Sequence, residues 1–219
     1  MSSAYKNVSF AVGTSEDLLS DLESGGLDMV VAGQAAHWFD FSKTWLGLKR
    51  TVRSGGTVAF WGYKDNIFVD YPRASQLLLD YCYKKETMGP FWELPGRNIL
   101  RDKYRVIVPP AEDWENVERI EYEPGTEGRG SGEGEVLMQK RLKLGEVEGY
   151  ARTFSSYHNW MAAQEGVKAR KDGGEGDIID EMFDAMLEAE PEWKAMGDKW
   201  RDLEVYCEWG SIILLARRK

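Results

Sequence analysis

Two arginines, a histidine and a set of aromatic residues carry most of the chemistry this sequence offers. His37 follows an apolar run and can take a proton from a hydroxyl, because its ordinary pKa lies near neutrality. It can equally be a helix-entry histidine packed on Trp38. Arg97 and Arg152 can each clamp a carboxylate through paired hydrogen bonds, or stand in structural ion pairs in a chain rich in acids. Tyr63, Phe91 and Trp92, with Trp61, can wall an aromatic pocket around an apolar substrate. Ordinary packing is the competing reading, and the stronger one for Trp61. Cys82 and Cys207 lie far apart, so neither a disulfide framework nor a zinc spacing is predicted, and no metal site is expected.

These residues need elements to position them. Val8–Val12 alternates and reads as a strand, and Ser15 opens a short helix running to Leu22. Leu27–Gly33 is a continuous apolar run, predicting a strand buried on both faces of a parallel sheet. Residues 38–53 predict a helix and 57–61 the next strand, an α/β order. Ala74–Lys85 reads as a helix, and 88–110 as an irregular aromatic and proline stretch. Strands are expected at 118–123 and 136–142, with a flexible glycine-rich loop at 125–135 between them. A helix is expected over 146–164, placing Thr153, Tyr157, Trp160 and Gln164 on one face. The helix over 177–190, capped by Asp177 and stopped by Pro191, is the clearest local pattern. Two strands, 203–207 and 212–217, are expected to form an antiparallel hairpin around Glu208-Trp209-Gly210-Ser211.

Composition narrows the partners. The 219 residues carry 28 basic and 37 acidic side chains, a net charge of −9, with no dominant basic patch. Neither nucleic acid nor an anionic membrane surface is therefore expected as a partner. No signal peptide or membrane-length apolar run is visible. A soluble, cytoplasmic protein in a reducing setting is expected.

Four segments carry a family resemblance. They are Gly33-Gln-Ala-Ala-His37-Trp38-Phe-Asp40, Met88-Gly-Pro-Phe91-Trp92-Glu-Leu-Pro-Gly-Arg97, Tyr150-Ala-Arg152-Thr-Phe-Ser155-Ser-Tyr157-His158, and the C-terminal run from Val205 to Arg218. In order and spacing they resemble the fungal trans-aconitate methyltransferase branch of the class I S-adenosylmethionine-dependent methyltransferases, over essentially the whole chain. The resemblance implies one domain over 1–219, with a cap insertion at approximately 64–176. It implies a Rossmann-like α/β sheet, a C-terminal antiparallel hairpin and a helical or irregular cap. The family's cofactor grip, a G-x-G-x-G loop after its first strand and an acid after its second, falls in a segment the chain is expected to lack. Gly128-Arg-Gly130-Ser-Gly132 matches the letters, but no apolar strand leads into it and it reads as a linker.

The resemblance implies Ser15, Glu16, Asp17, Gln34 and Trp38 on the cofactor side and His37 as a catalytic proton acceptor. Tyr63, Phe91, Trp92, Arg97, Arg152, Ser155 and Tyr157 are implied around a small-molecule substrate. The cap aromatics and the segment after Gly33 are expected to share one cavity, able to surround a sulfonium. The function implied is methyl transfer from S-adenosylmethionine to an oxygen acceptor, a carboxylate among the candidates, with impaired cofactor binding. The alternatives are a cofactor-independent cyclase or isomerase of secondary metabolism reusing the cap pocket, or a non-catalytic binding protein. Without the family's first two strands, the side of Leu27–Ala32 is expected to lie open. Val8–Val12 can slide in beside it, and a homodimer through this edge is expected.

Overall fold

The computed structural model describes residues 7–16 and 22–219. The expected helix beyond Glu16, Asp17 included, lies outside the described residues. In chain order the elements are β1 (Leu27–Gly33), α1 (Phe41–Thr51), β2 (Val52–Phe68), α2 (Pro72–Tyr83), α3 (Gly96–Arg101), β3 (Trp114–Glu123), β4 (Glu133–Gly134), β5 (Gln139–Lys143), α4 (Leu144–Ala151), α5 (Ser155–Ala162), α6 (Ile178–Ala189), α7 (Pro191–Ala195) and β6 (Glu204–Arg218). The described strands form an open mixed sheet, ordered β1-β2-β6-β3-β4, with β5 also paired to β6. The chain divides into two compact units. One comprises residues 1–62, 104–119 and 213–219, and the other residues 63–103 and 120–212.

In the first unit β1 runs parallel to β2, with Met29 opposite Thr57 and Gly33 opposite Trp61. Asp40 caps α1 by accepting the Ser42 amide at 3.0 Å. Trp45, Leu48 and Thr51 of that helix are buried, and Trp45 packs on Phe60 and Trp114. The expected burial of β1 on both faces is corrected: Met29 and Val31 are more than half exposed, and within the strand only Ala32 is fully buried. Val8–Val12 is not a strand either. It is irregular and exposed, as a strand-forming segment without a partner ladder must be.

The second unit is built on α6. Asp177 accepts the amides of Ile179 and Asp180, and the Asp180 carboxylate returns a bond to the Asp177 amide, a reciprocal cap. Its apolar stripe, with Ile179, Met182, Phe183 and Met186, joins Leu78, Met88, Trp193 and Cys207 in one core. Trp193 is fully buried and meets Phe68 edge-on at 5.1 Å. Cys82 and Cys207 are buried free thiols.

Two expectations are revised here. The helix over 146–164 is two helices, α4 and α5, because Phe154 adopts an extended backbone between them. Thr153 therefore falls in the link, where its hydroxyl donates to the Tyr150 carbonyl at 2.7 Å. The residues from 204 to 218 form one strand, not two around a turn. Gly210 does not take the left-handed conformation a tight reversal needs. It instead admits Lys64, whose Cε lies 2.4 Å from where a Cβ would sit. The antiparallel partner is β5, with Lys140 opposite Cys207 and Leu142 opposite Val205.

Candidate functional site

In open α/β sheets, ligands bind beyond the carboxyl ends of the parallel strands. In the first unit that place is the turn after Gly33. A Cβ on Gly33 would lie 2.3 Å from the Trp61 indole, so the close approach of that ring requires glycine here. Gln34 takes a left-handed φ of 51° and donates its amide to the Trp61 carbonyl at 2.9 Å. A 3₁₀ turn, Ala36–Trp38, follows. His37 is buried, packed on Trp38 at 4.8 Å and on Tyr104 at 6.4 Å, while Trp38 is 54% exposed.

Glu16 ties this turn to the segment before it. Its carboxylate accepts the Asp40 amide at 3.0 Å, the Ser15 hydroxyl at 2.9 Å and the Thr44 hydroxyl at 3.3 Å. Burial pushes the Glu16 carboxyl up, but hydrogen bonds from the amides of Glu16 and Asp40 and from the hydroxyls of Ser15 and Thr14 outweigh it and hold the pKa at about 2. Glu16 is therefore a fixed anion that positions Asp40 and α1. Ser15 and Glu16 stand on one side of the turn region, with Gln34, His37 and Trp38 in the turn itself.

The glycine-rich run tests whether the described residues fit S-adenosylmethionine. A glycine loop that holds a ligand carboxylate must present free backbone N–H groups to it. Here the Gly128 amide donates to the Val69 carbonyl, and the Gly130 amide to the Glu208 carboxylate, both at 2.9 Å. A Cβ on Gly132 would lie 2.1 Å from the Glu123 carbonyl. The amides turn inward, and the expected flexible loop is instead fastened against β3 and β6. Among the described residues this glycine run thus offers no loop that fits the methionine part of the cofactor.

The second unit holds the expected substrate-side residues in two networks. In the first, Arg97 binds Asp65 and the Tyr83 hydroxyl, its Nε reaching Tyr83 at 2.8 Å. The guanidinium also stands 4.1 Å from the Trp92 ring centroid, and Trp92 Nε1 donates to the Cys82 carbonyl at 2.7 Å. Burial and the neighbouring Asp65 carboxylate push the Tyr83 phenol well up, so it stays a neutral donor. The Phe91 ring is half-buried, and its carbonyl accepts from Asn159 at 3.0 Å.

In the second network, Arg152 binds Asp177, Asp180 at 2.9 Å and Glu148 at 3.3 Å, with the Tyr157 hydroxyl at 3.1 Å. Tyr157 itself donates to Asp177 at 2.7 Å. Burial and that carboxylate push its phenol up to about 12. A cavity of about 510 Å³ opens beside this network over Phe183 and Trp200. Both guanidiniums are thus paired with carboxylates of the chain itself, with Arg152 Nε left buried and without a hydrogen-bond partner among the described residues. Ser155, at the start of α5, is exposed. Tyr63 lines a different cavity, with Met138, Lys140, Leu142, Tyr150 and Trp209. Apart from Tyr63, the sequence reading did not single out that set, although Met138, Lys140 and Leu142 carry the alternation of one strand face. The described residues show no cluster with the makings of a metal site, and no described helix is long and apolar enough to cross a membrane.

No protein-family model matches the chain. A probable S-adenosylmethionine-dependent methyltransferase of Saccharomyces cerevisiae is 26% identical over 98% of this chain and 70% of its own length. A Dictyostelium discoideum protein provisionally named a methyltransferase is 25% identical over 84% of this chain, which spans only 58% of that relative. Among solved structures, a provisionally named type II methyltransferase from Anaeromyxobacter dehalogenans superimposes with a TM-score of 0.63 at 23% identity, over 97% of this chain and 73% of that one. In sequence the chain is thus similar to proteins named as methyltransferases, one of them S-adenosylmethionine-dependent, and its open α/β sheet shares the Rossmann-like fold of a solved structure so named.

Proposed function

We propose that this chain carries the acceptor side of a small-molecule methyltransferase, acting on an oxygen nucleophile such as a carboxylate, and that its 219 residues bind S-adenosylmethionine poorly. The supporting observation is the fastened glycine run, whose amides are spent on Val69 and Glu208. Losing two or three hydrogen bonds to polar or charged cofactor groups, each worth roughly 1.5–3 kcal/mol, weakens binding by about two to four orders of magnitude or more. Titration calorimetry of the pure chain with S-adenosylmethionine is expected to show no saturable heat below roughly millimolar ligand. A micromolar constant, about −8 kcal/mol, would overturn this. His37, between Trp38 and Tyr104, is the candidate to accept a proton from a hydroxyl acceptor; a carboxylate acceptor needs no base. The aromatic cavity beside Tyr63 also suits a cofactor-independent cyclase or isomerase, and acceptor turnover without S-adenosylmethionine would favour that reading.

We also infer a homodimer through the side of β1 away from β2, where Met29 and Val31 present apolar side chains next to a strand edge with no partner among the described residues. Sedimentation of the wild-type chain is expected to give a dimer, and a Met29→Lys/Val31→Lys double variant a monomer. A wild-type monomer at tens of micromolar, roughly the range where weak interfaces saturate, would end this idea.

A further inference from the structure

The aromatic cavity of the second unit has a volume of about 430 Å³, within the roughly 300–1,000 Å³ typical of small-molecule sites. Met138, Lys140 and Leu142 enter it from alternate positions, and Tyr63, Tyr150 and Trp209 complete the wall. The rings are held in place: Trp209 is 4% exposed, donates to the Tyr150 hydroxyl at 3.4 Å and meets that ring nearly edge-on at 6.2 Å. Burial pushes the Tyr150 phenol up to about 12, so it remains a neutral hydrogen-bonding group at physiological pH.

The polar groups around the mouth differ in availability. Glu146 accepts the Lys143 amide at 2.8 Å, and Gln139 accepts from Arg129 at 3.2 Å. Arg141, one position along the strand and so on its other side, pairs with Glu204. Lys140 alone among these has no ion pair and no side-chain hydrogen bond among the described residues.

We propose that this cavity binds a small planar monocarboxylic acid, its apolar body among Tyr63, Tyr150 and Trp209 and its carboxylate on Lys140. An uncharged amide of the same shape keeps the ring contacts and loses the charge-assisted hydrogen bond. A cationic analogue is disfavoured by Lys140 itself. As the identity of the methyl acceptor this rests on the function proposed above. Binding is measured without cofactor or turnover, so the two can fail separately.

The test is titration of the full chain with trans-cinnamate and with trans-cinnamamide, by calorimetry or ligand-observed NMR at low salt. Cinnamate is expected to bind saturably and roughly three- to tenfold more tightly than the amide. Lys140→Gln, a change on the exposed rim, is expected to leave the melting temperature unchanged and erase the preference. Met138→Trp is expected to fill the cavity and abolish binding of both. Absence of cinnamate binding to the wild-type chain, equal affinity for the two probes, or a preference that survives Lys140→Gln would each overturn the proposal. Should Met138→Trp fail to fold, the Lys140→Gln comparison decides alone.

Discussion

Replacing Arg152 by alanine is expected to destabilise the protein by roughly 3–5 kcal/mol at pH 7, because it strands buried carboxylates without their cation. Glu148, Asp177 and Asp180 are 6%, 0% and 3% exposed. Arg201 would still serve Glu148 at 2.7 Å, and the Arg170 amide would still serve Asp180 at 3.0 Å. Asp177 would keep its bonds to the first turn of α6 and to Tyr157 but lose the guanidinium paired with it. The damage therefore falls on the cap of the helix around which the core of this unit is built.

The pH dependence gives a second readout. Burial pushes the Asp177 carboxyl up, but the Tyr157 hydroxyl, the Asp180 amide and the Arg152 guanidinium outweigh it and hold it below its ordinary 3.8. A carboxyl lowered by folding contributes stability that is complete above its unfolded pKa and is lost as pH falls through the folded one. The alanine variant loses that depression, and its stranded carboxyls can relieve themselves by taking up protons. The gap between wild type and variant is therefore expected to narrow from pH 7 toward pH 4. Urea unfolding at several pH values checks both points. A difference below about 1 kcal/mol at neutral pH, or a gap that widens on acidification, would mean that Arg152 is not the keystone of this network.

The same residues show where reading the sequence stops. The α6 helix was legible because everything that defines it is local: a capping aspartate, a stripe at helical spacing and a proline beyond. The partners of Arg152 and Arg97 were not, since Asp177 is 25 and Asp65 is 32 residues away, and only the fold brings them together. In one dimension both arginines read as a substrate clamp or an ion pair, because a guanidinium serves either equally well. Gly210 failed for a related reason. A glycine beside a serine reads as a turn, but here it makes room for Lys64 on another strand, and the expected hairpin runs straight. The alternation of Met138, Lys140 and Leu142 was present in the sequence. That these side chains share a cavity with Tyr63, Tyr150 and Trp209 depends on residues far along the chain, which only the fold brings together.

Arg97→Met is expected to cost about as much as Arg152→Ala, roughly 3–5 kcal/mol, yet to be recoverable by further substitution. Asp65 is buried, and its carboxylate accepts the Tyr83 hydroxyl at 2.6 Å as well as the Arg97 guanidinium. Removing the cation alone leaves that carboxylate unpaired. Adding Asp65→Leu removes the stranded charge but leaves the Tyr83 hydroxyl without its acceptor, a residual penalty of about 1–3 kcal/mol for a buried donor. Adding Tyr83→Phe removes that penalty too. The triple variant is expected to return to within about 1 kcal/mol of wild type, since a well-packed apolar replacement of a buried ion pair is often neutral. Arg101, whose guanidinium lies 3.6 Å from the Tyr83 ring centroid, keeps its ring contact with phenylalanine. Denaturant unfolding of the single, double and triple variants measures each step as a coupling energy. Recovery would show that the network specifies geometry around Trp92 rather than supplying net stability. A triple variant as unstable as Arg97→Met would show instead that the paired charges are themselves net stabilising in this unit.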